Sequence, residues 1–421
     1  MADLSVTFGG IRFKNPVIVA SATPTRDRSA MQKCIRAGAG GLVTKTPSFD
    51  RIERVSPSPC FYIMYPDQAR IGRLYSLYTS EQLSEFEPEE YVKEISVIRP
   101  MAEEQNCKII SSIMTGTLEQ WKRMTEMFVP VSEMFELNLA CPYGAELAGE
   151  EAKGCLISAS PALARNILKA VREVTDLPII AKLSIEAGDI TGVCKSILDD
   201  KLAQGVHLTH RFTGLEIDIT TGKPILSGTL SGYGGPWMSP ISRKWIARAA
   251  QATGKKLDIC GGGGVDNWRD SIAHLMAGAK TVQMAAAPIV FGYGIFPETL
   301  KKIDLFLEHH HYQSVEEIVG IALGHLRPLD QVPRRDQVRP LCIVDQEKCT
   351  GCGHCYEVCF YEAILYQKGE KVSIDPKRCE GCGLCTQVCP KNALGLVLNG
   401  KDVPISWEGA RGRIAEGKRK V

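Results

Sequence analysis

Residues 349–359 read CTGCGHCYEVC, and residues 379–389 read CEGCGLCTQVC. Each stretch has four cysteines in the spacing C-x2-C-x2-C-x3-C, and together they use eight of the sixteen cysteines in the 421-residue chain. The eight are Cys349, Cys352, Cys355, Cys359, Cys379, Cys382, Cys385 and Cys389. This doubled spacing decides the fold of the last part of the chain, because both runs must bend until their thiols converge.

The doubled run is typical of proteins that hold two [4Fe-4S] clusters, where three cysteines of one run and the last cysteine of the other bind each cluster. One cluster is predicted on Cys349, Cys352, Cys355 and Cys389, and the other on Cys379, Cys382, Cys385 and Cys359. Zinc or structural thiols are the alternative, but zinc sites use paired cysteines and need no third ligand two residues later. We therefore predict a ferredoxin-like domain over residues 341–400, which conducts single electrons to chemistry elsewhere in the chain.

Composition limits the class of protein. A chain of 421 residues with 44% hydrophobic content is too long for one ordinary domain. The other cysteines lack the spacing of a disulfide framework, and cluster assembly needs reduced thiols, so a cytoplasmic location is expected. No apolar run reaches the roughly 20 residues of a membrane span, and a net charge of +2 gives no reason to expect nucleic acid. Residues 401–421 are expected to form a basic tail.

Eight short apolar runs rich in β-branched residues alternate with amphipathic segments before residue 300. The runs are residues 16–22, 41–46, 107–114, 134–141, 178–184, 206–211, 256–260 and 281–287. Eight strand-helix repeats predict an α/β fold, a (β/α)8 TIM barrel, over residues 1–325. A small hairpin at 6–13 precedes the repeats within this domain, and a linker at 326–340 follows it. A doubly wound open sheet is the alternative.

Binding residues of such a barrel lie where the strands end. Small residues after strands let backbone N–H groups approach a phosphate, and lysines on two strands suit a ring that carries negative charge when reduced. An asparagine there can both donate to and accept from a ring edge. These features together predict a flavin mononucleotide (FMN) site. Its predicted residues are Ala20, Ser21, Lys45, Thr46, Asn138, Lys182, Gly235, Gly263, Gly264, Ala285 and Ala286.

Five stretches resemble the FMN barrel of dihydroorotate and dihydropyrimidine dehydrogenases. They are NPVIVASATPT (15–25), LVTKTPS (42–48), FELNLACPYG (135–144), PIIAKLS (178–184) and the glycine-rich turn before VDNWRDSIAHLMAGAKTVQM (265–284). The two-cluster tail adds a resemblance to the catalytic subunits of bacterial NAD-dependent dihydropyrimidine dehydrogenases. The resemblance implies FMN at Lys45, Asn138, Lys182, Gly263 and Gly264. It also implies an acid/base cysteine, on a mobile loop after the fourth strand, at the position of Cys141.

The chemistry also favours Cys141. Reducing a C=C bond conjugated to a carbonyl needs hydride at one carbon and a proton at its neighbour from the opposite face. A thiol is a suitable acid near neutral pH, and a loop with Gly144, Gly149 and Gly154 can close over a substrate. Cys155, at the far end of that loop, is the rival.

Departures from the family bear on the substrate. Where the pyrimidine enzymes have an Asn-Thr pair after the sixth strand, this chain has His210 and Arg211. Between the second and third strands, the family's Asn and Glu have no clear counterpart, and the chain offers Arg73. Guanidinium binds carboxylate bidentately, so we predict an anionic substrate contacted by His210, Arg211, Arg73 and Asn138. The alternative is that His210 and Arg211 bind the flavin or a loop carboxylate such as Glu216.

The expected activity is that of an oxidoreductase acting on CH–CH groups. No G-x-G-x-x-G fingerprint follows a strand, so a nicotinamide site is not expected. Electrons are expected to pass through the clusters from a flavin-containing NAD(P)H-oxidising subunit or a ferredoxin, within a homo- or hetero-oligomer. The alternatives are a dihydropyrimidine dehydrogenase acting on uracil or thymine, and an electron-transfer subunit without its own substrate. An acid at Cys141 favours an enzyme, because a relay needs none.

Overall fold

The computed structural model describes residues 2–70, 74–140, 157–158, 160–226, 230–398 and 401–402. The chain divides into two compact units, the first ending at His325 and the second beginning at Leu326. Each unit has its own apolar core. None of the described helices is long and apolar enough to cross a lipid bilayer.

Eight parallel strands of the first unit close into a barrel. The strands of this unit are β1 (Val6–Phe8), β2 (Ile11–Phe13), β3 (Val17–Val19), β4 (Gly41–Val43), β5 (Phe61–Met64), β6 (Ser76–Thr79), β7 (Lys108–Ile113), β8 (Met134–Asn138), β9 (Ile179–Leu183), β10 (Gly205–Leu208), β11 (Phe212–Gly214), β12 (Ile217–Asp218), β13 (Lys223–Pro224), β14 (Ser231–Gly234), β15 (Asp258–Gly261) and β16 (Thr281–Met284). Around the barrel the order is β3-β4-β7-β8-β9-β10-β15-β16. Each predicted run supplies one barrel strand, so the barrel prediction is confirmed and the open sheet is excluded.

Helices alternate with the strands along the first unit. They are α1 (Arg28–Arg36), α2 (Pro66–Arg70), α3 (Pro88–Glu104), α4 (Leu118–Phe128), α5 (Pro161–Arg172), α6 (Thr191–Asp200), α7 (Ser239–Ala252), α8 (Trp268–Met276), α9 (Ala286–Phe291) and α10 (Ile295–His309). Helix α5 begins at a Ser160 cap and buries Ala164, Ile167, Leu168 and Val171. That spacing of three and four residues forms a single apolar stripe on the helix.

A second sheet, antiparallel, is formed by β11, β14, β6 and β5 in that order. Its register pairs Thr79 of β6 with Gly232 of β14. Gly235, just after β14, has φ 136°, and a Cβ there would lie 2.7 Å from the carbonyl oxygen of Tyr75. Only glycine fits this close approach, which brings the end of β14 beside the start of β6.

The second unit is small and irregular. Its elements are β17 (Leu341–Val344), α11 (His354–Glu357), β18 (Ile364–Leu365), β19 (Ser373–Ile374), α12 (Leu384–Val388), β20 (Leu394–Leu398) and β21 (Lys401–Asp402). Each cysteine run turns at a left-handed glycine, Gly353 or Gly383, directly before a short helix. The unit includes residues 326–340, where the sequence predicts a linker, and there Arg339 donates to the carbonyl oxygens of Cys379 and Lys377.

Candidate active site and cluster centre

A pocket lies at the C-terminal ends of the barrel strands. The FMN residues predicted from sequence all line it, namely Ala20, Ser21, Lys45, Thr46, Asn138, Lys182, Gly235, Gly263, Gly264, Ala285 and Ala286. His210 and Arg211, predicted to contact the substrate, line the same pocket. Cys141, Cys155 and Arg73 lie outside the described residues.

Lys45 is held by an acid that sequence reasoning missed. Its Nζ lies 2.5 Å from Oε1 of Glu81, and the same oxygen accepts a hydrogen bond of 2.6 Å from Thr23. Glu81 follows β6, between the second and third barrel strands, where the sequence analysis found no acidic counterpart. The second sheet carries this segment to the barrel mouth, so Glu81 and Thr79 both line the pocket.

Lys182 has a buried acid beneath it. Oε1 of Glu136 lies 3.5 Å from Nζ of Lys182, and Oε2 of Glu136 is 3.0 Å from Nδ1 of His207 and accepts from Nε2 of Gln283 at 2.5 Å. Burial would raise the pKa of Glu136, but the Lys182 ammonium and the hydrogen bonds from His207 and Gln283 outweigh it and lower the pKa to about 2. The carboxylate is therefore ionised and fixes the Lys182 ammonium at the pocket floor.

His207 is a further residue that sequence reasoning missed. Since Nδ1 faces an ionised carboxylate, it carries the proton and donates to Glu136. Burial lowers the pKa of His207 against the opposing effect of Glu136, so the ring is neutral. Its Nε2 is then an acceptor, and it has no partner among the described residues.

Arg211 brings to the pocket a guanidinium that has no ion-pair partner among the described residues. Its guanidinium lies against Gly232 of β14, where any Cβ would collide with it. Within the described ranges no acceptor reaches its Nε, and no carboxylate, Glu216 included, forms an ion pair with it. Its neighbour His210 has Nδ1 3.1 Å from the Arg211 carbonyl oxygen. Burial, followed by the charges of Lys182 and Arg211, holds the pKa of His210 well below its usual range, so His210 is neutral.

The glycines after β15 form a cradle for an anion. Gly263 and Gly264 have φ of 77° and 88°, and a Cβ on Gly263 would lie 2.6 Å from Ser242 Oγ. Their N–H groups donate to no backbone carbonyl of the described residues. Ala286 begins α9, whose first N–H groups have no intrahelical acceptor. Such amides at the strand end, in a pocket that two lysines also line, fit the phosphate and ring of FMN.

The cysteine runs of the second unit surround a second cavity. Cys359 of the first run lines it together with Cys379, Cys382 and Cys385 of the second run, which is the set predicted to share one cluster. The other predicted set contains buried Cys349 and Cys355. Within the described part of the chain, no three His, Cys, Asp or Glu side chains converge on one ion.

Backbone N–H groups point at the cysteine sulfurs. The amide of Ala363 donates to Cys359 Sγ at 3.4 Å, and that of Ala393 donates to Cys389 Sγ at 3.2 Å. Both sulfurs belong to the last cysteine of a run. Hydrogen bonds of this kind stabilise thiolates and suit cluster ligands.

The fold and these two sites define an iron–sulfur oxidoreductase built on a TIM barrel. Residues 80–307 match the family model of dihydroorotate dehydrogenase. Residues 348–393 and 371–418 match models of 4Fe-4S dicluster domains. The chain belongs to the dihydroorotate dehydrogenase family.

Relatives place the chain among enzymes acting on CH–CH groups. The catalytic subunit of dihydroorotate dehydrogenase B (NAD(+)) from Pyrococcus abyssi is 32% identical over 321 residues, covering 76% of this chain and 99% of the relative. The NAD-dependent dihydropyrimidine dehydrogenase subunit PreA from Escherichia coli K12 is 28% identical over 368 residues, covering 85% of each chain. The predicted resemblance and the predicted enzyme class are both confirmed.

The two sites predict the cofactor content of the purified protein. Two clusters and the barrel pocket should hold about eight iron atoms and one FMN per chain after anaerobic purification. Metal analysis by mass spectrometry and chromatography of acid-released flavin measure both quantities. Zinc in place of iron, or FAD in place of FMN, would contradict the assignment.

Proposed function

We propose that the protein is an FMN- and iron–sulfur-dependent oxidoreductase. It reduces, or reversibly oxidises, a C=C bond conjugated to a carbonyl in a small anionic substrate. Electrons pass through the two [4Fe-4S] clusters, and Cys141 supplies the proton. The observation that carries the substrate class is the guanidinium of Arg211 at the barrel mouth, which has no ion-pair partner in the part of the chain that the structure describes.

Charge pairing in the pocket supports this assignment. The Lys45 ammonium is neutralised by Glu81 and that of Lys182 by Glu136, whereas Arg211 has no anionic partner among the described residues. A largely buried cation without a counter-ion is costly, and a carboxylate on the ligand removes that cost through a charge-assisted, bidentate contact. The pocket thus favours a ligand with one negative charge near Arg211.

Each group of the pocket has a distinct role in the proposed reaction. FMN, when bound, supplies the hydride to one carbon of the double bond. Lys182, fixed by Glu136, holds positive charge beside the ring, and Asn138 donates to and accepts from polar atoms at the strand end. Neutral His210 leaves Nε2 as an acceptor toward the substrate. Arg211 orients the substrate carboxylate, which fixes the double bond relative to the hydride donor.

The proton donor is proposed on chemical grounds. Cys141 is the proposed donor, and its neighbour in the chain, Ala140, lies two residues after the end of β8 and is fully buried. The amide of Ala140 approaches Asn138 Oδ1 at 3.4 Å. A thiol on the next residue is a suitable acid for the carbon that does not receive the hydride. Cys141 therefore remains the proposed acid, with Cys155 as its rival.

The second candidate is a dihydropyrimidine dehydrogenase acting on uracil or thymine. The 28% identity with the Escherichia coli subunit over 85% of the chain favours it. The dihydroorotate dehydrogenases among the relatives point instead to a pyrimidine that bears a carboxylate, and such a ring also meets the anion requirement of Arg211. Orotate therefore belongs with the anionic candidates in every assay.

The route of electrons gives a further prediction. We propose that a flavin-containing NAD(P)H-oxidising subunit or a ferredoxin delivers them, because the sequence has no dinucleotide fingerprint. The isolated chain should oxidise NADH and NADPH at background rates. With reduced methyl viologen as the donor, it should reduce its substrate. Rapid NADH oxidation by the chain alone would overturn this proposal.

The same viologen assay tests the substrate class. A panel of orotate, simple carboxylated enoates, uracil and thymine separates the two candidates, with product identified by mass spectrometry. The proposal requires turnover with at least one carboxylated compound and a clear preference for it over uracil. Efficient reduction of uracil and thymine alone would favour the second candidate.

A further inference from the structure

A ninth cysteine lies at the cavity formed by the second cysteine run. Cys342 of β17 lines that cavity together with Cys359, Cys379, Cys382 and Cys385. It precedes the first run by several residues and fits neither four-cysteine pattern. Its side chain is buried, with 6% of the residue exposed, so it is shielded from solvent.

Two contacts join Cys342 to the predicted ligands. Its Sγ lies 3.5 Å from Sγ of Cys385, and its backbone N–H donates to Sγ of Cys379 at 3.4 Å. The strand pairing that holds it is antiparallel, with Cys342 opposite Leu396 of β20. Cys342 is therefore positioned by the sheet, and it presents both its amide and its thiol to the ligands of one cluster.

We propose that Cys342 is a positioning residue that raises the reduction potential of the cluster held by Cys359, Cys379, Cys382 and Cys385. A cysteine bound to iron is a thiolate, so Cys385 has no proton to give. Of the two sulfurs, only Cys342 can donate. The other acceptor for its thiol, the Ile343 carbonyl oxygen, is more distant at 3.7 Å.

The direction of the effect follows from charge. Reduction adds an electron to the cluster and increases the negative charge on the ligand sulfurs. A hydrogen bond donated to such a sulfur stabilises the reduced form more than the oxidised form, which raises the potential. Among the described residues, the sulfurs of the other set have different neighbours, the Ala393 amide at Cys389 Sγ and His354 Nδ1 at 3.2 Å from Cys352 Sγ. Removing the Cys342 thiol should therefore move the potential of one cluster and leave that of the other in place.

The experiment is an anaerobic redox titration of the purified holoprotein, followed by electron paramagnetic resonance. Cys342→Ala removes the thiol donor, Cys342→Ser retains a donor, and Cys194→Ala changes a buried cysteine of helix α6 in the barrel unit. In Cys342→Ala one cluster signal should move to a more negative potential while the other stays in place. Cys342→Ser should keep the two cluster potentials in the same order as in the wild type, and Cys194→Ala should change neither cluster signal.

Two results of this titration would overturn the proposal. Unchanged potentials in Cys342→Ala, with iron content intact, would overturn the proposal. Loss of one cluster in both Cys342 variants would also overturn it, because Cys342 would then be needed to bind the cluster and not to tune it. The inference rests on the cluster part of the proposed function. It is independent of the substrate, because the titration involves no turnover.

Discussion

Replacing Cys141 with alanine should lower turnover by roughly a hundredfold or more, the usual scale for loss of a general acid. Hydride addition to the conjugated double bond leaves negative charge on the neighbouring carbon and its carbonyl, and without the thiol that carbon loses its proposed proton donor. Flavin and cluster spectra should be unchanged, because the proposed role involves neither cofactor. Stopped-flow reoxidation of the reduced flavin by substrate measures the affected step directly.

The matched control is Cys155→Ala, at the far end of the same glycine-containing segment. It should retain most of the wild-type rate. If turnover fell a hundredfold in Cys155→Ala and did not fall in Cys141→Ala, Cys155 would be the acid. If neither variant slowed the reaction, a thiol acid would be excluded and a different proton donor would have to be sought in the pocket.

Replacing Arg211 with glutamine should raise the Michaelis constant for the anionic substrate by about 10- to 100-fold, since a hydrogen bond to a charged group contributes about 1.5–3 kcal/mol. Glutamine keeps a donor but loses the charge and the bidentate fork. The change should fall mainly on substrate affinity, because FMN is predicted to bind through Lys45, Lys182 and the glycines Gly263 and Gly264. Steady-state kinetics with a viologen donor measure it.

Two controls accompany this variant. Arg211→Lys retains the positive charge without the planar fork, so it should lie between wild type and Arg211→Gln. Arg248→Gln alters an arginine of α7 that pairs with Asp189 at 3.1 Å, and neither residue lines the pocket, so this variant should leave the kinetics unchanged. Loss of FMN from Arg211→Gln with an unchanged Michaelis constant would assign Arg211 to the flavin.

Sequence reasoning found the barrel because its strands are parallel and buried on both faces. Such strands appear as nearly continuous apolar runs, and β9, with all five residues from Ile179 to Leu183 buried, is an example. The residues predicted to bind FMN line one pocket for a related reason. Strand ends can be read directly from a sequence once the strands are known, and the barrel brings those ends together.

Glu81 could not be found in this way. It reaches the barrel mouth because Thr79, two residues before it, pairs with Gly232 in an antiparallel sheet. That pairing joins segments far apart in sequence, and local periodicity contains no information about it. The thiol of Cys342 was missed for the same reason, because its contact with Cys385 depends on the pairing of β17 with β20.

Glu136 and His207 did leave a signal in the sequence. Each interrupts an apolar strand with a polar side chain, and strand residues two apart point to the same side. Glu136 is therefore on the side of Asn138, facing the barrel interior. A charged residue at such a position predicts a buried ion pair, and Lys182 on the adjacent strand is its partner.

The most direct test of the proposed anionic substrate class is a single-turnover titration. The holoprotein is reduced anaerobically, excess reductant is removed, and the flavin absorption band is followed as orotate, carboxylated enoates, uracil or thymine is added. We predict that a carboxylated conjugated compound restores the oxidised flavin band with the stoichiometry of a two-electron acceptor, while uracil and thymine leave it reduced. Reoxidation by uracil and thymine, with no response to any anionic compound, would contradict the proposed anion site at Arg211.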